Sequence, residues 1–261
     1  MTVVVGIRCS DGIVIGSDGA ATLMSQGLVT AQQRAFKKIF SSGSVITAFA
    51  GHSGLAQRIR GEIEGGLAEG RWTGRTDQIV HQMRRHLWHH ITELELRAAG
   101  ASQDALRHQA APTAATTETL VAAVINGLPE LIHFDGTCGT TVITDDLPFV
   151  SIGAGQPIAD PFLGFARRIF WPSGLPNLAT ATFSVLWTLT HAIECNAIGL
   201  AQPIQLATLT RDGEQWVASD VTQNELEEHR QSVSEAEDAL RAWRNRVAGT
   251  GTLPAVSPPP T

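Results

Sequence analysis

The first eighteen residues constrain the fold more than any other stretch of the chain. Residues 2–8 and residues 13–18 are two runs rich in valine and isoleucine, and Ser10, Asp11 and Gly12 lie between them. A short link that contains glycine between two such runs is typical of a β-hairpin. No positively charged segment precedes the first run, so the sequence does not predict a secretory signal peptide. We therefore expect the start of the chain to be held in a sheet.

Thr2 follows Met1 directly, and removal of Met1 would leave Thr2 with a free α-amino group. A threonine hydroxyl is a weak nucleophile until a base is near it, and an N-terminal amine can be that base. The ordinary pKa of such an amine is about 7.7–8.0, so a useful fraction is neutral near pH 7. The alternative is that Thr2 is simply a residue tolerated after methionine.

The context of Thr2 resembles that of a known nucleophile. Thr2, an apolar strand, a glycine turn, a second strand and the sequence Ser-Asp-Gly-Ala-Ala-Thr at residues 17–22 resemble the start of mature proteasome β-type subunits. The likeness extends to the bacterial proteasome-like peptidases, which are N-terminal nucleophile hydrolases of the threonine type. The resemblance implies that Thr2 is the nucleophile and that Asp18 belongs to its catalytic set.

A lysine is expected beside this pair. Lys38 precedes Ile39 and Phe40, and the family carries a buried lysine followed by two apolar residues at this place. An ammonium group there would lower the proton affinity of the threonine hydroxyl and amine, and the carboxylate would keep the lysine charged. The alternative is a surface lysine at a strand end; Lys37 would point to the opposite face.

The segment that ends the fourth apolar run supplies the remaining expected site residues. The resemblance implies that the N–H of Gly51 is the oxyanion donor and that Phe49 faces the pocket for the substrate side chain before the cleaved bond. Thr22 is the second residue expected to contact substrate. The alternative for Phe49 and Gly51 is a buried strand end followed by a helix-start glycine.

Two places depart from the family pattern. Residues 151–155 resemble a Gly-Ser-Gly turn whose serine helps to hold the amine of the nucleophile, but Ala154 stands in the matching position. The family also places an acid and a hydroxyl or amide near the end of a long helix, where this chain has Glu194, Cys195 and Asn196. These departures favour a catalytically silent ring subunit, with a role in assembly or binding, as the alternative function.

The order of predicted elements is strands, two helices, strands, two helices, strands and one helix. The first pair includes a helix that Thr76 caps and that runs to about Ala98, after which residues 99–117 are predicted to be a surface loop. Residues 23–37 are predicted to be a loop or a short strand. This order suits an α+β fold, and the resemblance implies the same one: a four-layer αββα sandwich of two antiparallel sheets between helix pairs.

The sequence predicts three regions: residues 1–221 as the hydrolase domain, residues 222–247 as a C-terminal helix, and residues 248–261 as a disordered proline-rich tail. Thr222 and Glu225 form a capping-box pattern at the start of that helix. A narrow apolar seam with a seven-residue spacing favours packing against another helix, in the same or a neighbouring subunit. Its members are Leu226, Val233, Leu240 and Val247.

Charge and composition limit the classes of partner that the sequence predicts. The net charge is −6 without a basic cluster, which argues against nucleic acid and anionic membranes, and no apolar run approaches the roughly 20 residues that span a bilayer. His86 and His90 lie one helical turn apart, but no carboxylate or cysteine completes a plausible ligand set nearby, so no metal or cofactor is predicted. The three cysteines are widely spaced and are expected to be reduced thiols of a cytoplasmic protein.

Taken together, the sequence predicts a threonine-type endopeptidase that acts on peptides or unfolded proteins within a homo-oligomeric ring. The resemblance adds an ATP-dependent unfoldase as a partner to be tested. Besides the silent subunit, an N-terminal nucleophile amidase that acts on a small molecule stays open as an alternative.

Overall fold

A computed structural model describes residues 1–25, 28–94, 97, 117–195 and 199–250. It divides into two compact units, Met1–Val221 and Thr222–Thr261. Within the described residues, no helix is long and apolar enough to cross a bilayer.

The first unit contains two five-stranded sheets in which every strand pair is antiparallel. The first sheet has the order β10-β1-β2-β11-β12, with β1 Val4–Arg8, β2 Gly12–Ser17, β10 Phe149–Ile152, β11 Gln205–Asp212 and β12 Gln215–Asp220. The second has the order β5-β6-β7-β8-β9, with β5 Ile39–Ser42, β6 Val45–Gly51, β7 Thr117–Ile125, β8 Leu128–Phe134 and β9 Thr140–Val142.

The two sheets face each other, and a pair of helices covers each outer face. A buried apolar cluster lies between the sheets and includes Val4, Ile15, Ile46 and Leu120. The helices α1 Ser53–Ala68 and α2 Thr76–Leu87 pack on the second sheet. The helices α3 Gln156–Phe170 and α4 Leu178–Cys195 belong to the other pair, and α4 packs on the first sheet. The predicted αββα sandwich is therefore confirmed.

Burial on both faces explains why the start of the chain reads as an almost continuous apolar run. Every residue of β2 is buried, and so is every residue of β1 except Arg8. A strand covered on both sides does not alternate between apolar and polar residues. Gly16 provides the room that α4 needs, because a Cβ at this position would lie 2.5 Å from Val185 and 2.8 Å from Leu189.

Three local predictions need correction. Residues 23–37 contain parts of a separate hairpin, formed by β3 Ala21–Ser25 and β4 Leu28–Gln33. Arg75, not Thr76, is the N-cap of α2, and its backbone N–H donates to the side chain of Gln78. A π-helical turn, Trp88–Thr92, follows α2, so the predicted helix is not regular. Its predicted end at Ala98 and residues 99–116 of the predicted loop lie outside the described residues.

The second unit contains one long helix, α5 Gln223–Thr250. The capping box at its start is present: the Glu225 carboxylate accepts the Thr222 N–H at 2.8 Å, and the Thr222 hydroxyl accepts the Glu225 N–H at 3.4 Å. The helix therefore begins where its sequence predicts, and it runs three residues past Val247. Residues 251–261 of the predicted tail lie outside the described residues.

Candidate active site

Asp18 fixes the first residues of the chain. It follows β2 directly, its side chain is fully buried, and its carboxylate accepts the backbone N–H groups of Val3 at 3.0 Å and Ala20 at 2.9 Å. The Asp18 N–H in turn donates to the Val3 carbonyl at 3.3 Å. Since both backbone groups of Val3 are bonded to Asp18, the position of Thr2 is set from its C-terminal side.

Lys38 completes this buried group. Its Nζ lies 2.6 Å from Oδ1 of Asp18, and the side chain is 3% exposed. Burial lowers the pKa of Lys38, while the charge of Asp18 and the hydrogen bond to it act in the opposite direction. Lys37 is exposed and pairs with Asp220 at 2.8 Å. Of the two adjacent lysines, Lys38 is therefore the buried one, as the sequence favours.

The start of the chain lies within the electrostatic influence of this pair. The pKa of the Met1 α-amino group is lowered, first by partial burial and then by the positive charge of Lys38, while Asp18 opposes the change. The Met1 side chain lies beside Gly199, where an added Cβ would be 3.1 Å from the Met1 Cβ. The Met1 amine is thus easier to deprotonate than an ordinary N-terminal amine.

A turn of the backbone holds Thr2 from the other side. The N–H of Gly155 donates to the Thr2 carbonyl at 3.1 Å. Gly153 has a φ of +87°, and a Cβ on it would lie 2.5 Å from the Thr2 carbonyl oxygen and 2.9 Å from the Ala50 Cβ. Only glycine fits this close approach. The same contacts bring Ala50, at the end of β6, next to the start of the chain.

Gly51 ends β6 in a conformation that suits a backbone donor. It is exposed and has a φ of +124°, which L side chains rarely adopt. The next residue is fixed twice: the His52 ring accepts the Leu55 N–H at 3.2 Å and caps α1, and the His52 carbonyl accepts the Thr117 hydroxyl at 3.0 Å. An exposed glycine next to a rigid helix start can present its N–H to a developing oxyanion.

Of the two residues expected to contact substrate, the structure describes the side chain of Phe49 but not that of Thr22. Phe49 is only 4% exposed, and its ring stacks on Phe40 with centroids 5.8 Å apart and planes 10° apart. The guanidinium of Arg60 lies 4.1 Å from the Phe40 ring centroid. The Phe49 side chain is therefore buried and packed against Phe40. Thr22 lies in β3 opposite Gln32, and its side chain is outside the described residues.

The places where the sequence departs from the family pattern are both exposed. Ala154 is exposed at the tip of the turn, and Glu194 and Cys195 are exposed in the last turn of α4. The Cys195 sulfur lies 3.6 Å from the ring nitrogens of His191. Asn196 is outside the described residues.

Sequence reasoning missed the side chains that anchor the turn. The Glu118 carboxylate accepts the Gly153 N–H at 3.0 Å, and the Ser151 hydroxyl donates to Asp160. One signal in the sequence could have pointed to Glu118: it is a charged residue at the start of a mostly apolar strand. Residues 118 and 153 are far apart in the sequence, so no local pattern predicts that they are in contact.

The described residues contain no group of three His, Cys, Asp or Glu side chains placed to hold a metal ion. One sequence argument against a metal near His86 was nevertheless wrong. A carboxylate does lie nearby, because Glu62 from α1 is 2.7 Å from the His86 Nε2. Neighbours in space come from a different helix, which spacing along α2 does not reveal. Glu62 also pairs with Arg71, and these contacts lower its pKa.

Comparison with known proteins supports the fold. No protein-family model and no curated protein sequence matches the chain. Among solved structures, it is similar to a Gly-1 mutant of Anbu from Hyphomicrobium sp. strain MC1, with 17% identity, a TM-score of 0.64 and coverage of 98% of this chain and 100% of that one.

Two further Anbu structures have the same TM-score of 0.64. One, described as an ancestral beta-subunit, comes from Yersinia bercovieri and is 15% identical, covering 98% of this chain and 99% of that one. The other is a helical assembly of the Anbu complex from Pseudomonas aeruginosa, which is 19% identical and covers 98% of each chain. At these identities the likeness establishes the proteasome-like fold that the chain shares with Anbu.

Proposed function

We propose that the chain is a threonine-type hydrolase that cleaves peptide bonds and uses Thr2 as its nucleophile. The observation that carries this proposal is the buried Lys38–Asp18 pair, bonded to the N–H of the residue that follows Thr2. Breaking a buried ion pair by removing one partner is costly, and such pairs add little stability over apolar packing. A role in the chemistry of the adjacent residue gives this pair a reason to be there.

The reaction requires that Met1 be removed. The Thr2 hydroxyl then attacks the carbonyl carbon of the scissile bond, and its proton passes to the α-amine, directly or through a water molecule. The Gly51 N–H donates to the oxygen that becomes negative in the tetrahedral intermediate. Collapse of the intermediate breaks the C–N bond, and the α-ammonium gives its proton to the leaving amine. Water then hydrolyses the ester on Thr2 and restores the enzyme.

Lys38 and Asp18 adjust the protonation of the amine without entering these bonds. The positive charge of Lys38 lowers the pKa of a nearby ammonium, so more of the amine is a free base near neutral pH. Asp18 supplies the opposite charge that keeps Lys38 protonated inside the protein. Gly51, Lys38 and Asp18 therefore have separate tasks around one reacting atom.

We also propose that the protein works as a cytoplasmic homo-oligomer with peptide or unfolded-protein substrates. The helical assembly of the Anbu complex supports the oligomer, and a ring is the form that we propose. An ATP-dependent unfoldase that delivers substrate is a hypothesis to be tested by co-purification.

The helix α5 is the element that we assign to subunit contacts. Leu240 is 51% exposed and Trp243 is 47% exposed on this helix, whereas its apolar residues Leu226 and Val233 are buried. Deletion of residues 222–261 should lower the mass of the assembly in light scattering while circular dichroism still shows folded subunits. An assembly of unchanged mass that only melts at a lower temperature would remove this assignment.

The second candidate is a catalytically silent subunit with an assembly or binding role. Ala154 favours it, because its side chain cannot donate or accept a hydrogen bond where the family that the sequence resembles has a serine that helps to hold the amine. A small-molecule amidase is the third, since the same nucleophile and amine can open other amides.

One experiment separates the three candidates. Purified protein without Met1 is incubated with a fluorogenic peptide series and with small free amides, and product formation is followed over time. Cleavage of peptides supports the proposed peptidase, and cleavage of free amides alone supports the amidase. Absence of turnover on both classes, in an intact assembly with Thr2 exposed, supports the silent subunit.

A further inference from the structure

Glu118 is a charged side chain in the layer between the two sheets. It is the second residue of β7 and lies directly opposite Ala50 of β6. Residues directly opposite each other in an antiparallel pair have their side chains on the same face. Ala50 belongs to the buried cluster between the sheets, so Glu118 points into the same layer. It is partly rather than fully buried.

Its carboxylate bridges the two sheets at the candidate nucleophile. Oε2 of Glu118 accepts the N–H of Gly153 at 3.0 Å, and Gly153 is the residue that lies against the Thr2 carbonyl. Hydrogen bonds to an ionised acceptor are roughly twice as strong as neutral ones. A movement of Gly153 would shift the Thr2 carbonyl, because Gly155 of the same turn donates to that carbonyl.

A second titratable side chain, His133, lies close enough to Glu118 to feel its charge. His133 lies on the neighbouring strand β8, and its Nε2 is buried with no hydrogen-bond partner within the described residues. Burial lowers the pKa of His133, while the charges of Glu118 and Asp135 oppose this change. The other end of the turn is anchored by the Ser151 hydroxyl, which donates to Asp160. The turn is therefore held by two carboxylates from separate elements.

We infer that Glu118 is a positioning residue for the nucleophile: it holds Gly153 against the Thr2 carbonyl and so fixes the direction of the Thr2 hydroxyl and amine. This inference rests on the proposed function of Thr2. The side chain of Ala154 cannot help to hold the Thr2 amine. We assign that task to Glu118, which lies in the second sheet. Because Glu118 acts through Thr2, its loss should slow the covalent step and leave substrate binding unchanged.

The test is the rate at which a peptide epoxyketone modifies Thr2 in protein that lacks Met1. Glu118→Ala should lower the maximal modification rate by about 10- to 100-fold, the scale expected when a reacting group is misplaced by about 1 Å. The inhibitor concentration that gives half of the maximal rate should stay within about twofold, since binding contacts are untouched.

Two further variants separate positioning from general stability. Glu118→Gln keeps an oxygen that can accept the Gly153 N–H, so its rate should stay within about threefold of wild type. Glu118→Thr suits a strand but cannot reach Gly153; it should behave like Glu118→Ala and replaces it if that variant does not fold. Glu130→Ala is the matched control. Glu130 is a partly buried acid of the same sheet, paired with Arg8 at 2.8 Å, and its loss should leave the rate within about threefold.

The outcomes are distinguishable. A slow Glu118→Ala or Glu118→Thr with a near-normal Glu118→Gln supports the inference. Wild-type rates in Glu118→Ala or Glu118→Thr overturn it and leave the proposed function intact, and so does a Glu118→Gln as slow as Glu118→Ala. A wild-type protein that lacks Met1 and does not react at residue 2 overturns both the proposed function and the role of Glu118.

Discussion

Thr2 is held on two sides by different kinds of groups. On one side lie the fully buried Asp18 and its partner Lys38, which act through charge. On the other side lies the turn of residues 151–155, which contacts Thr2 through the Gly155 N–H and the close approach of Gly153. The first side acts through charged side chains, and the second contacts Thr2 through backbone groups. We expect substitutions to act on chemistry at the first side and on geometry at the second.

Substitution of Thr2, which lies between the two sides, should have the largest effect on peptide cleavage. Thr2→Ala removes one hydroxyl and should reduce peptide cleavage by about 10⁴-fold or more, the scale seen when a hydrolase loses its nucleophile. Thr2→Ser should retain part of the activity, because it keeps the hydroxyl and the amine. Initial rates measure both, and light scattering should show unchanged assemblies. Full activity in Thr2→Ala would exclude Thr2 as the nucleophile.

The charged side should be the next most sensitive. Lys38→Ala leaves the Asp18 carboxylate buried without its ion-pair partner, which costs about 3–5 kcal/mol of folding free energy. It also removes the positive charge near the amine, so we expect a loss in rate of about 10²-fold or more. Thermal melting and initial rates check the two effects.

Lys37→Ala is the matched control for Lys38→Ala. The Lys37 side chain is 54% exposed and its pair with Asp220 lies at the surface, so stability should change by less than about 1 kcal/mol and activity hardly at all. A damaging Lys37→Ala with a harmless Lys38→Ala would reverse the two lysine assignments.

A substitution in the turn of residues 151–155 should have the smallest effect on the rate of peptide cleavage. This side can be tested by a variant that is expected to raise the rate. Ala154→Ser adds one hydroxyl at the exposed tip of the turn that contacts the Thr2 carbonyl, and one hydrogen bond contributes about 0.5–1.5 kcal/mol. We therefore expect the cleavage rate to rise by about two- to tenfold. Ala68→Ser, at the exposed end of α1, is the control and should leave the rate unchanged. A fall in rate with Ala154→Ser would show that this position needs a small apolar side chain.

The same contrast explains how far the sequence could predict the site. Asp18 follows a strongly apolar strand and Lys38 precedes the apolar pair Ile39 and Phe40, so their placement follows from local pattern together with the family resemblance. The contact of Glu118 with Gly153 joins β7 to the turn that follows β10 in the other sheet, and the two residues are 35 positions apart. Neither strand's periodicity contains that information, since it depends on how the sheets pack.

The fold was predicted for a related reason. Burial sets the apolar patterns of β1, β2, β6 and α1. Such patterns can be recognised in a single sequence. The cap of α2 and the π-helical turn at Trp88 were not predicted, because both depend on local backbone geometry. The β3–β4 hairpin was missed because its residues are mixed and polar.

The central claim is that Thr2 becomes the first residue and is the nucleophile. Intact-mass spectrometry of the purified protein, before and after incubation with a peptide epoxyketone, tests it most directly. The account predicts loss of one methionine and one inhibitor adduct that peptide mapping places on residue 2, with none on Thr2→Ala. An adduct on another residue, or active protein that retains Met1, would contradict it.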